Sequence, residues 1–215
     1  MSFILTYNTL INQVPLALQR SVQDPLITGS IDRWIAQAHA RITRDAPSLL
    51  FKVVVNGQFV VGQSQYLKPA RWQTDLEFWY GAGAGFTAYS PLYLRPYGFC
   101  RLYWPDDTQT NPPVYYNNQF DYNNWLVLPT PDQAYPFEIS YLESPQVIDI
   151  NYQQNYLTEF MPEVLFKAVM LEASIDLHTQ DLQQTAMNDY QSVLASWNAM
   201  DARRDYSSYT NRRAD

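Results

Sequence analysis

The residues of this chain whose types could do chemistry are few, and their spacing suits little of it. Gly81, Gly83 and Gly85 alternate within "FWYGAGAGFTAYS" and invite comparison with a phosphate-cradling loop. Such a loop needs a Gly-Lys-Ser/Thr ending to hold phosphate and magnesium, and a dinucleotide turn needs its third glycine one residue further on. Neither pattern is present. The stretch reads instead as a loop tip between an aromatic strand and Pro91, with Gly81, Gly83, Gly85 and Phe86 contacting a neighbouring molecule.

The other candidates fare no better. His39 and His178 lie far apart on expected helices, and no set of His, Cys and carboxylates has metal-ligand spacing. His39 adjoins an apolar stripe and suits a structural role. Cys100 precedes Arg101, which would lower a thiol pKa, but its "YGFCRLYW" surroundings fit a buried structural cysteine. Asp106 and Asp107 follow Trp-Pro in a turn. Glu172 and Asp176 stand i,i+4 on a helix, where like charges mildly repel. General acid–base work needs two carboxyls across a cleft, and no serine sits in a Gly-x-Ser-x-Gly elbow. No catalytic, metal or cofactor site is assigned, and an enzyme is not expected.

Composition bounds the rest. With 215 residues, 47% hydrophobic and 16% charged, the chain can bury a large core. Its 17 tyrosines suit extended contact surfaces, since tyrosine offers area and a hydroxyl at small entropic cost. A net charge of −7 argues against a sequence-reading DNA binder, which needs a basic footprint. One cysteine leaves no internal disulfide. The start "MSFILTYNTLINQ" lacks a signal-peptide pattern, and no apolar run approaches ~18 residues, so neither export nor a membrane span is expected.

The elements follow from periodicity. A short helix over 7–14 should end or kink at Pro15. A better one starts after Thr28-Gly29-Ser30, carries Ile31, Trp34, Ile35, Ala38 and Ile42 on one stripe, and closes at Pro47. In "FKVVVNGQFVVGQ" the β-branched runs around Asn56-Gly57 predict a hairpin with a type I′ turn. "LEFWY", "PVYYNN", "NWLVLP" and "FEISYLE" read as further strands, making roughly five or six, with a short helix in "RPYGFCRLYWPDD". Pro162 opens a helix through Leu165, Phe166, Val169, Ala173 and Leu177. A second carries Leu182, Ala186, Tyr190, Val193, Trp197 and Met200, and the short link near His178 makes the two an antiparallel hairpin. The expected class is α+β: a helical bundle with an inserted antiparallel β-rich region and an extended C-terminal tail. The divisions are 1–47 for the first helices, 48–150 for the insertion, 151–204 for the hairpin and 205–215 for the tail.

Two stretches in this order resemble the head-to-tail adaptor (connector) proteins of tailed bacteriophages. One is "YLRPYGFCRLYWPDD" leading to "VYYNNQFDYNNWLVLPTPDQAYPFEISYLESP". The other is "FMPEVLFKAVMLEASIDLHTQD" followed by "NDYQSVLASWNAMDARRD". "SIDRWIAQAHARITRD" is similar to the second helix of that family, and the likeness runs over about residues 31–204. The resemblance implies a homo-oligomeric ring of about twelve copies under the portal protein. It further implies a bore through which DNA passes without sequence-specific binding, a platform for a downstream tail protein, and a place in the virion after assembly in the host cytoplasm. It also implies that the C-terminal segment docks on the portal, which assigns Arg203, Arg204, Tyr206, Tyr209, Arg212 and Arg213 to that contact. Arg and Tyr are the types enriched where interfaces hold tightly. Two other classes compete: a tail or baseplate component with a carbohydrate-binding β region, and a cell-wall hydrolase acting through Glu77 or Asp75 beside Trp72 and Trp79.

Overall fold

Apolar residues at helical spacing fill the first and last parts of the chain, and both become helices in the computed structural model. It describes the backbone of residues 5–46, 52–81 and 88–211, and side chains as far as 199. Helix α1 spans Tyr7–Ala17. The Thr6 hydroxyl accepts from the Thr9 N–H at 3.1 Å while the Thr6 N–H donates to the Thr9 hydroxyl at 2.7 Å, a reciprocal cap. Pro15 lies inside α1 and does not end it. So near the C-terminus a proline forfeits a single backbone bond, and its ring is buried. A short α2 (Pro25–Thr28) precedes α3 (Ile31–Asp45), which buries Ile31, Trp34, Ile35, Ala38, His39 and Ile42. Pro47 lies outside the described residues.

The returning chain forms α5 (Tyr156–Phe160), α6 (Pro162–Asp176) and α7 (Gln180–Asn211). Pro162 occupies the first turn of α6, as expected. His178, at a φ of 53°, turns the chain between α6 and α7. The carboxylates Glu172 and Asp176 are each met by an arginine of α3. Arg41 pairs with Glu172 and Arg33 with Asp176, both at 2.5 Å, and Trp34 Nε1 donates to Asp176 at 3.0 Å. With Tyr190 donating to Asp45 at 3.1 Å, these contacts set α3 against α6 and α7 over a core of Trp34, Ile35, Ile42, Leu157, Leu165 and Val169.

Between these halves lie two four-stranded sheets. Strands β1 (Lys52–Gln58), β3 (Trp72–Gly81), β4 (Tyr89–Pro91) and β8 (Pro136–Glu143) form one, in the order β1-β8-β3-β4. Strands β2 (Gln65–Leu67), β5 (Tyr93–Leu94), β6 (Tyr115–Asn117) and β7 (Asn124–Leu128) form the other, in the order β2-β7-β6-β5. Every pairing between these strands is antiparallel except β5 with β6. Helix α4 (Tyr97–Tyr103) stands where "RPYGFCRLYWPDD" predicts one. Phe59, Phe78, Trp125, Val127 and Ile139 are buried together in this part. By their contacts, Met1–Phe51 with Ser144–Asp215 make one compact unit and Lys52–Glu143 a second.

The Asn56-Gly57 hairpin is not formed. Both residues lie within β1, Asn56 opposite Glu138 and Gly57 opposite Phe137. The glycine serves a different need: a Cβ there would overlap the Phe137 ring. That ring instead reaches Phe59, with centroids 4.7 Å apart. The chain reverses further on, where Gly62 at a φ of 77° lets the Gln63 N–H reach the Val60 carbonyl at 3.1 Å.

Candidate interaction surfaces

His39, Cys100, Asp106 and Asp107 are taken up in internal contacts. His39 is buried on α3, its Nδ1 facing the Ile35 carbonyl at 2.8 Å and its Nε2 facing Asn155 Nδ2 at 2.8 Å. The partners make Nδ1 the donor and Nε2 the acceptor. Burial holds its pKa below the ordinary value, against the opposing pull of the Ile35 carbonyl. Asn155 also caps α5 and donates to the Gln146 carbonyl at 2.6 Å. Cys100 is buried, and burial pushes its thiol up despite Arg101. Asp106 closes a turn onto the Thr108 N–H at 2.9 Å, and Asp107 pairs with Arg101.

Asp75 and Glu77, either of which the hydrolase reading would use, face different ways. A register shift between them sets Asp75 opposite Tyr141 and Glu77 opposite Ser140, adjacent residues of β8 whose side chains point to opposite faces. Asp75 faces inward and accepts from Trp72 Nε1 at 2.7 Å, Trp125 Nε1 at 3.0 Å and Asn118 Nδ2 at 2.9 Å. Burial pushes its carboxyl above the usual range, and these three hydrogen bonds pull it back. Among the described residues no His, Cys, Asp and Glu group could hold a metal, and no helix is long and apolar enough to cross a membrane.

One feature escaped the sequence altogether. Lys68, only 6% exposed, turns its ammonium inward onto the loop 118–123 between β6 and β7. Its Nζ donates to the carbonyls of Asn118 (2.6 Å), Asp121 (3.1 Å) and Tyr122 (3.4 Å), and its backbone N–H donates to Asn123 at 2.7 Å. The ammonium also lies 4.1 Å from the Trp72 ring centre. Burial lowers the Lys68 pKa, while Asp75 and Asp121 oppose that. Asp121 accepts from the Asn123 N–H at 3.1 Å and from Asn124 Nδ2 at 2.7 Å. At the tip of this fixed loop Tyr122 is 89% exposed. Nothing in the local spacing marks the clamp, because it joins a lysine to carbonyls some fifty residues away.

In the helical unit a cavity of about 240 Å³ opens between the end of α1, α6 and the start of α7. Leu18, Phe166, Met170 and Ala186 wall it, and the Lys167–Asp189 pair at 2.7 Å stands at its rim. Helix α7 runs on well past this point. Its 32 residues span about 48 Å, roughly twice the length of α6. Trp197 is the last side chain described as packing on the helical core. The backbone of Arg203, Arg204, Tyr206 and Tyr209 continues the helix, past the boundary drawn at Arg204, since no Gly or Pro interrupts 198–211. Arg212 and Arg213 lie outside the described residues. So do Gly83, Gly85 and Phe86, whereas Gly81 ends β3 opposite Tyr89.

What the described residues offer is a helical bundle with an inserted two-sheet unit. The chain matches the family described as SU10 adaptor protein over residues 5–214, and it belongs to that family of phage head-to-tail adaptors. It is therefore a structural component of the bacteriophage virion, a head–tail connector. Membership implies a place in the neck, in interaction with portal and tail. A comparison with curated proteins finds no match.

Proposed function

We propose that the protein is a purely structural adaptor, without enzymatic activity, that assembles as a ring of about twelve copies under the portal. The ring continues the DNA channel and offers a platform to the next tail component. In each copy the end of α7 docks on the portal through Arg203, Arg204, Tyr206, Tyr209, Arg212 and Arg213. The helical bundle 1–47 and 151–204 holds the ring, 48–150 supplies its inserted β-rich region, and 205–215 is the docking tail.

The observation that carries this reading is α7 itself. A 32-residue helix that continues past its last described packed residue, Trp197, ends in an Arg/Tyr-rich stretch suited to an interface. Electron microscopy of the purified protein with and without portal tests it, together with a chain lacking residues 205–215. The full chain is expected to cap portal as a ring. The shortened chain should fold, with an unchanged thermal midpoint, and leave portal bare. Equal occupancy by both chains would sink the docking role of the tail.

A further inference from the structure

The loop 118–123 holds a conformation that the β6–β7 connection does not require. Joining two antiparallel strands takes a few turn residues, yet here one buried lysine gathers four carbonyls, and Asn118 is tied to Asp75 beneath. Taking an ammonium out of water is costly unless its hydrogen bonds are replaced. What the arrangement yields outwardly is a tyrosine standing in solvent on a backbone already fixed. A side chain so presented loses little entropy when it enters a pocket, which is the condition for an anchor residue.

The same chain carries a hole of matching size and chemistry. An apolar cavity of ~150 Å³ takes a benzene ring, so the cavity of about 240 Å³ beside Phe166 and Met170 has room for a phenol. Methionine sulfur packs well against aromatic rings, and Ser174, Thr185 and Asp189 in its lining offer partners for the hydroxyl. Charge permits a second copy as the occupant. A chain of net charge −7 repels its own copies except where patches are locally balanced. At the rim of the hole Lys167 balances Asp189, and in the knob the Lys68 ammonium, bound to the Asp121 carbonyl, lies near enough to the Asp121 carboxylate for the two charges to interact. Both surfaces are among the parts of this acidic chain that a second copy can approach.

We infer that Tyr122 of one copy inserts into the cavity between α1, α6 and α7 of the next. Knob and hole lie on different parts of the chain, so the contact is head-to-tail, the kind that closes rings. It rests on the ring reading above and names one anchor within it. The exposed Leu67, Leu16 and Leu182 are available to widen the contact toward the area a stable interface needs.

The test uses full-length protein and reads the contact twice. Tyr122→Ala, at a site too exposed to disturb folding, should weaken self-association at least about tenfold in sedimentation. Ala186→Phe, which fills the hole, should do the same, and the two changes together should cost little more than either. In a mixture of Tyr122→Cys and Ala186→Cys chains, a short bismaleimide should join one variant to the other and neither to itself. Rings on portal without that cross-link would overturn the inference and leave the adaptor reading standing. The cross-link without portal-bound rings would do the reverse. A Tyr122→Ala chain that forms normal rings but fails to attach tails would also overturn it, and would assign the knob to the tail component.

Discussion

At the scale of single residues, His39 and Gly57 show how one side chain, or its absence, fixes a junction. His39 is neutral, and its Nε2 accepts from Asn155, the residue that caps α5 and holds the Gln146 carbonyl. Its pKa in the folded chain lies below the ordinary value of 6.5. As the pH falls through that value, the unfolded chain takes up a proton that the folded chain refuses, so stability falls until the folded-state pKa is reached. Above 6.5 this group contributes no slope. Denaturant titrations should therefore show lower stability at pH 5.5 than at pH 7.5, and the loss should shrink in His39→Gln. An identical slope in the variant would remove His39 as the cause. For Gly57, Ala is expected to cost about 1–3 kcal/mol through overlap with the Phe137 ring. Combining it with Phe137→Leu should recover part of that loss. Strictly additive effects in chemical denaturation would show that the ring is not what the glycine makes room for.

Elements were legible from sequence where their period was long, and illegible where contacts came from elsewhere. Helices α3, α6 and α7 declare themselves through three- and four-residue spacing. Strands β7 and β8 do so through runs of β-branched and aromatic residues. Asn56-Gly57 has the composition of a turn, but the turn signal is local while the Phe137 ring that needs the glycine is eighty residues away. Strands β2, β4 and β5 have three residues or fewer, too short for alternation to register. The shift that parts Asp75 from Glu77 belongs to the pairing of β3 with β8, not to β3 alone. Of the candidate surfaces, composition pointed to the C-terminal Arg/Tyr stretch, while the Lys68 clamp and the cavity arise only from tertiary packing. The same packing tempers what α7 should lose at Trp197. That ring is half-buried against the helical core, with its Nε1 buried and unpartnered among the described residues. Trp197→Ala should cost about 2 kcal/mol, below the ~3–5 of a fully buried aromatic. Trp197→Phe should cost less than half of that, because it also removes the orphaned donor. Thermal melts of both variants check the order.

For the whole assembly the governing quantity is charge. Twelve copies at −7 each would carry roughly −84. A bore that bound DNA through many phosphate contacts would hold it against transit, since each neutralised phosphate adds salt-sensitive affinity. Asp181, exposed in the first turn of α7, is available to line a bore that repels phosphate instead, whereas Asp189 is already paired with Lys167. Assembled rings titrated with short duplex DNA at low salt should show no binding at micromolar concentration. Tight binding that weakens steeply with salt would mean a basic bore and contradict this expectation.

The pairing of β1 with β8 has a consequence for how such a chain can change over generations. Lys52, the first residue of the second compact unit, lies opposite Leu142, one residue from that unit's end. Two strands paired in this way hold their Cα atoms about 5 Å apart, so the whole of Lys52–Glu143 departs and returns through a gap that a short turn could bridge. A gene encoding the helices could therefore lose this segment, exchange it or acquire another by crossovers at its two ends, with little strain passed to the bundle. Diversification of the tail apparatus then has a ready point of exchange, at which new surfaces can be tried without rebuilding the helical core.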